Sequence, residues 1–144
     1  MPYPAPGTYH IQSSSKPDCY ASIRYGEDAL RGEPIDPSQY SQTWRLDYNE
    51  DTSDTPRLWC ALTIAGYTSS LGVKSINDHQ PVCIAADSSA WSWFLKQTNE
   101  GYVIGLLSSR GNEYNWFLSD KDEQIVVIGG DKSEPQSWRF VKAE

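Results

Sequence analysis

The sequence predicts an all-β fold built from three related repeats, and the first observation behind this prediction is an internal period. In each repeat an aromatic residue in a strand-like segment precedes, at a nearly constant distance, a tryptophan that opens another apolar segment. Self-similarity at a fixed period is typical of repeat architectures. The separations are 35, 34 and 36 residues, for the pairs Tyr9 and Trp44, Trp59 and Trp93, and Tyr102 and Trp138.

The second observation is the alternation of short apolar segments with turn sequences inside each repeat. The segments between the predicted strands are rich in Gly, Ser, Asn and Asp, which favour turns. No helical stripe of 3.6-residue period reaches a useful length. In the third repeat the predicted strands are residues 102–107, 114–118, 124–128 and 137–141.

The first and second repeats show the same alternation. Twelve short strands in three sets of four indicate a closed barrel, because closure removes exposed sheet edges. We therefore predict a single β-trefoil domain over residues 1–144, with repeats at about 7–50, 57–99 and 101–142. Inner strands of the first two repeats are predicted at residues 20–25, 34–35, 71–73 and 81–84.

Charge and cysteine usage restrict the function and the compartment. The formal net charge is −7, and no cluster of Lys and Arg counters it, so nucleic acid is excluded as a partner. Three cysteines cannot all pair within the chain, and none forms a C-x-x-C motif. The start lacks signal-peptide character, and no apolar run approaches the roughly 20 residues of a membrane span. We expect a cytoplasmic protein without disulfides or membrane insertion.

The sequence carries no catalytic motif. The only histidines, His10 and His79, have no nearby nucleophile or paired carboxylates, and no P-loop, G-x-S-x-G or H-E-x-x-H sequence is present. The acidic group Asp120, Asp122 and Glu123 lacks the glycine and the distal glutamate of a calcium loop. We predict a binding protein, not an enzyme, that needs no cofactor and no metal.

Two repeat ends carry a recognisable signature. Gln42-Thr43-Trp44 and Gln136-Ser137-Trp138 match the Q-x-W sequence of ricin-B-type β-trefoils, and the middle repeat has Trp91-Ser92-Trp93 instead. Together with the Gly7-Thr8-Tyr9 opening, they make residues 6–142 resemble mushroom β-trefoil proteins. That group includes cytoplasmic defence lectins and serine-protease inhibitors of the cnispin and cospin types. The resemblance implies the fold and leaves both activities open.

The lectin hypothesis points to the middle repeat. A sugar ring needs an exposed aromatic face and short polar groups for its hydroxyls, and residues 87–93 supply both. If Trp93 is the core tryptophan of the repeat, Trp91 is surplus to the fold and exposed; the alternative is that both pack inside the barrel cap. The resemblance to a fucose-binding member implies a carbohydrate site made of Trp91, Ser92, Trp93, Ile84, Gly72, Val73 and Tyr48. Val73 stands where that lectin has a stacking tryptophan, so either the ligand differs or the site does not bind. The asparagine that precedes Q-x-W in ricin-type galactose sites is absent.

The inhibitor hypothesis needs an exposed rigid loop that offers one side chain to a protease. Basic residues in predicted loops are Arg31, Arg110 and Lys132. The loop between the last two strands carries the reactive lysine of cnispin-type inhibitors, so the resemblance implies Lys132. The asparagine of cospin-type inhibitors has no counterpart between Gly26 and Gly32. The partner is therefore a glycan or glycoprotein on the first hypothesis and a trypsin-like serine protease on the second.

Overall fold

The structure is a computed structural model that describes residues 3–48, 58–66, 69–84 and 92–143. This part of the chain contains fourteen β-strands and no helix. The strands are β1 (Gly7–Ser13), β2 (Tyr20–Arg24), β3 (Leu30–Glu33), β4 (Tyr40–Ser41), β5 (Trp44–Tyr48), β6 (Leu58–Ile64), β7 (Leu71–Gly72), β8 (Gln80–Pro81), β9 (Cys83–Ile84), β10 (Trp93–Thr98), β11 (Gly101–Leu107), β12 (Glu113–Phe117), β13 (Val126–Gly129) and β14 (Trp138–Lys142).

Six of these strands close a barrel. Going round it, β1 pairs with β5, β5 with β6, β6 with β10, β10 with β11, β11 with β14, and β14 again with β1, all antiparallel. Each repeat contributes its first and last strand, and the closing ladder places Ile11 opposite Phe140. The alternate residues of the barrel strands that point inward are apolar and form the core.

Three hairpins, one from each repeat, cover one end of the barrel. They are formed by β2 with β3, β7 with β9, and β12 with β13. The remaining strands, β4 and β8, are two residues long and pair with β2 and β13. These two short strands account for the difference between the fourteen observed strands and the twelve that the sequence predicts.

One predicted strand, at residues 34–35, is wrong. The strand of this region is β3, which ends at Glu33, and the chain leaves the sheet at Pro34. Proline has no backbone N–H to donate to a ladder, so it cannot continue the pairing of β3 with β2. The other predicted strands lie within a few residues of observed ones.

A ring of backbone hydrogen bonds marks the pseudo-threefold axis. The N–H of Leu30 donates to the carbonyl of Val82 (2.8 Å), that of Val82 to Ile125 (2.9 Å), and that of Ile125 to Leu30 (2.8 Å). All three residues are fully buried, and each belongs to a different repeat. Three hairpins joined cyclically over a six-stranded barrel define a β-trefoil, as the sequence predicts.

The tryptophans that open the last strand of each repeat fill the core. Trp44, Trp93 and Trp138 are all fully buried. The indole Nε1 of Trp44 donates to the carbonyl of Ala21 (2.9 Å) and that of Trp93 to Leu71 (2.9 Å). In the third repeat, Trp116 occupies the position of Ala21 and Leu71. Its ring contacts the rings of Trp138 and Trp93 edge-on, with 5.6 Å between the ring centroids of each pair. For Trp138, aromatic contacts therefore take the place of the N–H···O bond that Trp44 and Trp93 make.

The glutamines of the two Q-x-W sequences hold the chain that precedes them. Gln42 donates to the carbonyl of Pro34 (2.8 Å) and accepts from the N–H of Asp36 (2.8 Å). Gln136 accepts from the N–H of Leu118 (2.9 Å) and donates to its carbonyl (3.1 Å). Gln42 thus holds the loop between β3 and β4, whereas Gln136 holds the residue that follows β12. Trp91 stands at the position of these glutamines in the middle repeat.

All three cysteines, Cys19, Cys60 and Cys83, are free and buried. Burial raises the pKa of each thiol, and the thiolate is the reactive form. We therefore expect almost no reaction with a thiol reagent in the native protein and three reactive thiols per chain after unfolding. The check is a thiol titration with and without denaturant, with a pre-reduced sample as control. One thiol per unfolded, unreduced chain would reveal a disulfide and contradict the expected reducing compartment.

Candidate functional site

The middle-repeat site predicted from the sequence is only partly described by the structure. Trp91 lies outside the described residues, as do residues 85–90, so its predicted exposure stays a prediction. Ser92 is exposed. Trp93 is fully buried and donates to Leu71, and Gly72 and Val73 are buried beside it. These three residues therefore serve the core, and Trp93 presents no ring face to solvent.

The two remaining members of that predicted site belong to different places. Ile84 is half-buried and pairs with Leu71 in the β7–β9 hairpin, so it does lie beside Gly72 and Val73. Tyr48 ends β5, and its hydroxyl donates to the carbonyl of Pro4 (2.6 Å). Burial raises its pKa, with smaller contributions from Cys60 and three other tyrosines: Tyr102, Tyr9 and Tyr3. Those neighbours of Tyr48 are outside the predicted carbohydrate site.

The three basic residues of the inhibitor hypothesis differ in how strongly the fold engages them. The guanidinium of Arg31 lies 3.5 Å from Glu27 and 3.9 Å from Glu33, so its role is structural. Arg110 is exposed in the turn between β11 and β12. The side chain of Lys132 is 64% exposed, and its ammonium is 4.0 Å from Asp78. Arg110 and Lys132 are therefore the accessible ones.

A cleft in the first repeat is the feature that sequence reasoning missed. It has a volume of about 420 Å³ and lies beside the loop between β3 and β4. We call it the first-repeat groove. It is lined by His10, Tyr25, Ile35, Pro37, Tyr40, Ser41, Gln42, Thr43, Ile64 and Ala65.

Two large apolar side chains stand open in this groove. Tyr25, which follows β2, is 57% exposed, and Ile35, which lies two residues after the end of β3, is 44% exposed. The hydroxyl of Tyr25 donates to the carbonyl of Pro37 (2.8 Å), and its backbone N–H donates to Gln39 (3.0 Å). These bonds fix the ring while leaving its face uncovered. An exposed aromatic ring held in one position is a platform for an apolar ligand surface.

Polar groups border the same groove. The Nδ1 of His10 lies 2.8 Å from the carbonyl of Gln42; a carbonyl only accepts, so Nδ1 is the donor. The carboxylate of Asp36 accepts from Ser38 (2.6 Å) and Gln39 (2.8 Å), and these bonds lower its pKa. They also stiffen the turn that carries Pro37. The groove thus combines a fixed aromatic face with a polar rim.

A buried carboxyl group lies behind the groove wall. Glu33 ends β3 and is 4% exposed. Its pKa is raised to about 7, mainly by burial, then by the adjoining carboxyl of Asp122; Arg31 and the hydroxyl of Tyr40 act in the opposite direction. Tyr40 also lines the groove.

Two other clefts lie elsewhere on the described part of the chain. One, of about 590 Å³, is at the barrel end opposite the hairpins and includes Tyr9, Tyr102 and Phe140, whose rings pack edge to face. The other, of about 410 Å³, includes His79 and Asp122. These two residues have positive φ (68° and 69°), and each stands three positions before an axis residue. The unusual backbone is therefore a feature of the repeat turn and not of a site.

Neither histidine belongs to a catalytic grouping in the structure. His10 and His79 line different clefts. Within the described ranges, no group of three or more His, Cys, Asp or Glu residues could hold a metal ion. The same residues include no helix long and apolar enough to cross a membrane.

The structure can now be compared with known proteins. It is similar to the structure of the Rhizoctonia solani agglutinin, with a TM-score of 0.73, 15% sequence identity and 99% of each chain covered. It is also similar to the Macrolepiota procera ricin B-like lectin in complex with lactose, with a TM-score of 0.74, 16% identity, and 99% of this chain and 100% of the lectin covered. The fold is that of fungal β-trefoil lectins.

The fold also occurs as one part of a larger protein. The chain matches 17% of a mosquitocidal holotoxin, with a TM-score of 0.71, 13% identity and 98% of this chain covered. No protein-family model matches the sequence, and no curated protein matches it. The predicted resemblance to the mushroom β-trefoil group is confirmed at the level of the fold.

Proposed function

We propose that this protein binds carbohydrate, with the first-repeat groove as a binding site. The observation that carries this proposal is the exposed and fixed ring of Tyr25 beside a polar rim. The fold supports it, since a lectin of similar structure has been solved with lactose. We further propose that the protein is not an enzyme, acts on glycans or glycoproteins in defence, and resides in the cytoplasm.

The chemistry of the groove suits a sugar. The C–H face of a pyranose stacks on an aromatic ring, and its hydroxyls need donors and acceptors at the edge. Tyr25 and Ile35 supply the apolar surface, and His10, Tyr40 and Ser41 supply polar atoms. A cleft of about 420 Å³ is within the usual range for small ligands. One to two sugar rings would fit.

Trp91 stays a second candidate, because the sequence predicts that it contributes to a carbohydrate site. Two variants separate the candidates. Aromatic stacking contributes about 1–3 kcal/mol, so Tyr25→Ala should weaken glycan binding roughly 5- to 150-fold if the groove binds. Trp91→Ala should do so if the middle repeat binds. The measurement is a glycan array followed by titration calorimetry with the best glycan.

A control for both variants is Arg110→Ala, since Arg110 is exposed in the turn between β11 and β12 and does not line the groove. It should leave affinity unchanged. The melting temperature of each variant should stay close to that of the wild type, because surface substitutions usually change stability by less than about 0.5 kcal/mol. If both aromatic variants bind as tightly as the wild type, neither loop is the site; if the wild type binds no glycan, the proposal fails.

Inhibition of a trypsin-like protease is the second candidate function, and the exposure of Lys132 favours it. The turn after β13 is held by a bond from the N–H of Lys132 to Gly129 (2.9 Å). A rigid turn with one exposed cation resembles the contact loop of an inhibitor. Wild-type protein should then inhibit trypsin at micromolar concentration, and Lys132→Ala should abolish this while Arg110→Ala does not. Absence of inhibition by the wild type would remove this function.

A further inference from the structure

The first-repeat groove has an apolar surface on each of its two sides. Neighbouring strands in this part of the sheet follow the order β2, β1, β5 and β6. Tyr25 follows β2 and bonds to Pro37, in the same loop as Ile35, so these residues form the β2 side. Ile64 ends β6 and is followed by Ala65, so these two form the opposite side. A ligand in the groove therefore lies between two apolar surfaces.

Polar groups occupy the strip between the two sides. His10 belongs to β1, and Thr43 directly precedes β5. Gln42 is buried, whereas its neighbours Ser41 and Thr43 are half-buried, and all three line the groove. The Gln42 side chain is engaged with the loop between β3 and β4, and the Nδ1 of His10 donates to the Gln42 carbonyl. The hydroxyls of Ser41 and Thr43 can both donate and accept, as a sugar hydroxyl requires.

Backbone hydrogen bonds fix the side formed by Ile64 and Ala65. The N–H of Ala65 donates to the carbonyl of Thr43 (3.2 Å), and that of Ile64 donates to the carbonyl of Ser69 (3.2 Å). The side chain of Ile64 also packs against the core. Since the ring of Tyr25 is held as well, both sides keep their positions without a ligand. A groove with fixed sides can discriminate between ligands by their shape.

The described residues that line the groove include no Lys, Arg, Asp or Glu. The two other clefts contain charged side chains, Glu100 and Arg139 in one, and Arg31, Asp122 and Glu123 in the other. A sugar carboxylate or sulfate in the groove would lose water without gaining a fixed countercharge. This difference between the clefts favours an uncharged ligand for the groove.

Hexopyranoses differ in whether both faces of the ring are apolar. In β-linked glucose and N-acetylglucosamine every ring substituent is equatorial, so both faces present C–H groups and the hydroxyls surround the edge. Galactose has an axial hydroxyl on one face, and allose has one on the opposite face. An axial hydroxyl pressed against an apolar surface loses water without gaining a partner, which weakens binding. Two apolar sides therefore suit the glucose configuration.

We propose that the first-repeat groove selects uncharged, β-linked sugars of the glucose configuration. One face of the ring stacks on Tyr25, and the other lies against Ile64 and Ala65. The hydroxyl edge bonds to Ser41 and Thr43. This inference rests on the proposed function of the groove. An axial hydroxyl should lower the affinity roughly 5- to 150-fold, the effect of burying one polar group without a partner.

The first arm of the test compares three sugars that differ at single ring carbons: the methyl β-glycosides of glucose, galactose and allose. Their dissociation constants are measured by NMR titration of the full chain. We expect both epimers to bind more weakly than the glucoside. The two axial hydroxyls lie on opposite faces, so an epimer that binds as tightly as the glucoside would show that one face meets no apolar surface. That result would overturn the inference, as would a glucoside that does not bind while larger glycans do.

The second arm changes the side opposite Tyr25. Ile64→Ala should lower the affinity for the glucoside about 2- to 10-fold through lost apolar contact, and it should reduce the preference over one of the two epimers. The matched control is Ile76→Ala, since Ile76 is also half-buried against the core but does not line the groove. If Ile64→Ala does not fold, Ala65→Ser places a hydroxyl on the same side and should reduce the same preference. A groove variant that behaves like Ile76→Ala would overturn the contact with this side.

A glycan array separates this inference from the function on which it rests. Glycans that end in β-linked glucose or N-acetylglucosamine should give signals that Tyr25→Ala removes, and those that end in galactose or sialic acid should give weaker ones. If glycans ending in galactose bind equally well, and Tyr25→Ala removes that binding, the groove still binds carbohydrate but the selection is wrong. No signal from any glycan or glycoside would refute the proposed function and the inference with it. Signals that all survive Tyr25→Ala would refute the groove as the site.

Discussion

Trp116→Ala should lower the free energy of unfolding by about 3–5 kcal/mol, the range for removing a large aromatic side chain from a core. Trp116 is fully buried, and its ring is the one that contacts both Trp93 and Trp138. Its removal leaves a cavity at the meeting point of the second and third repeats. Chemical denaturation measures the change, and the melting temperature should fall by roughly 10 °C or more.

Two matched variants separate cavity formation from other effects. Trp116→Phe keeps a ring and should cost less, because Trp116 Nε1 has no hydrogen-bond partner among the described residues and none is lost. Trp59→Ala removes a half-buried indole and should cost less than Trp116→Ala. A Trp116→Ala protein within about 1 kcal/mol of the wild type would show that this ring is not part of the packed core.

Gly101→Ala should be similarly severe, for a backbone reason. Gly101 opens β11 with a φ of +139°, and an added Cβ would collide with the backbone carbonyl of Trp138. A backbone neighbour in a barrel strand cannot move aside as a flexible side chain could. We expect the collision to lower the free energy of unfolding by several kcal/mol, in addition to the roughly 1–2 kcal/mol that an alanine with positive φ costs. Denaturation of the purified variant, or its failure to accumulate as folded protein, is the readout.

The control for this variant is Gly111→Ala. Gly111 also has a positive φ, +84°, but an added Cβ would meet no atom within 4 Å. It should therefore show the conformational cost alone. Equal destabilisation by the two variants would mean that the collision at Gly101 is relieved by a small shift of β14, and that the barrel is softer at this point than the geometry indicates.

Much of the fold could be predicted because the repeat pattern is carried by core residues. A buried tryptophan at the start of the last strand recurs in all three repeats because it packs the core, so it leaves a period in the sequence. The short strands β4 and β8 could not be predicted, since two-residue pairings depend on the neighbouring hairpin. The strand predicted at residues 34–35 was wrong because Pro34 ends the ladder that apolar character alone suggested.

The binding surface was less predictable. The groove brings together residues as distant in sequence as His10, Tyr25 and Ile64, and no local pattern records that contact. The sequence did offer two signals: Tyr25 directly precedes Gly26 in a turn, and Ile35 lies between two prolines. An apolar residue in a turn sequence does not belong to a strand that packs on the core, so its side chain can be exposed. Asp122, which raises the pKa of Glu33, comes from a different repeat, and only the folded chain shows that the carboxyl of Glu33 is buried.

The hydrogen-bond ring of Leu30, Val82 and Ile125 has a consequence for how the protein unfolds. Each repeat donates to one neighbour and accepts from the other. Removal of one repeat would therefore leave one N–H and one C=O of the other two repeats unpaired. Each unpaired group would cost about 1–3 kcal/mol of stability if it stayed buried. Open solenoids lose stability one module at a time. Here the three modules are closed on one another, and loss of any one removes partners from both others. The threefold duplication in the sequence therefore gives a single cooperative unit, which should melt in one transition and tolerate no shortening by a repeat.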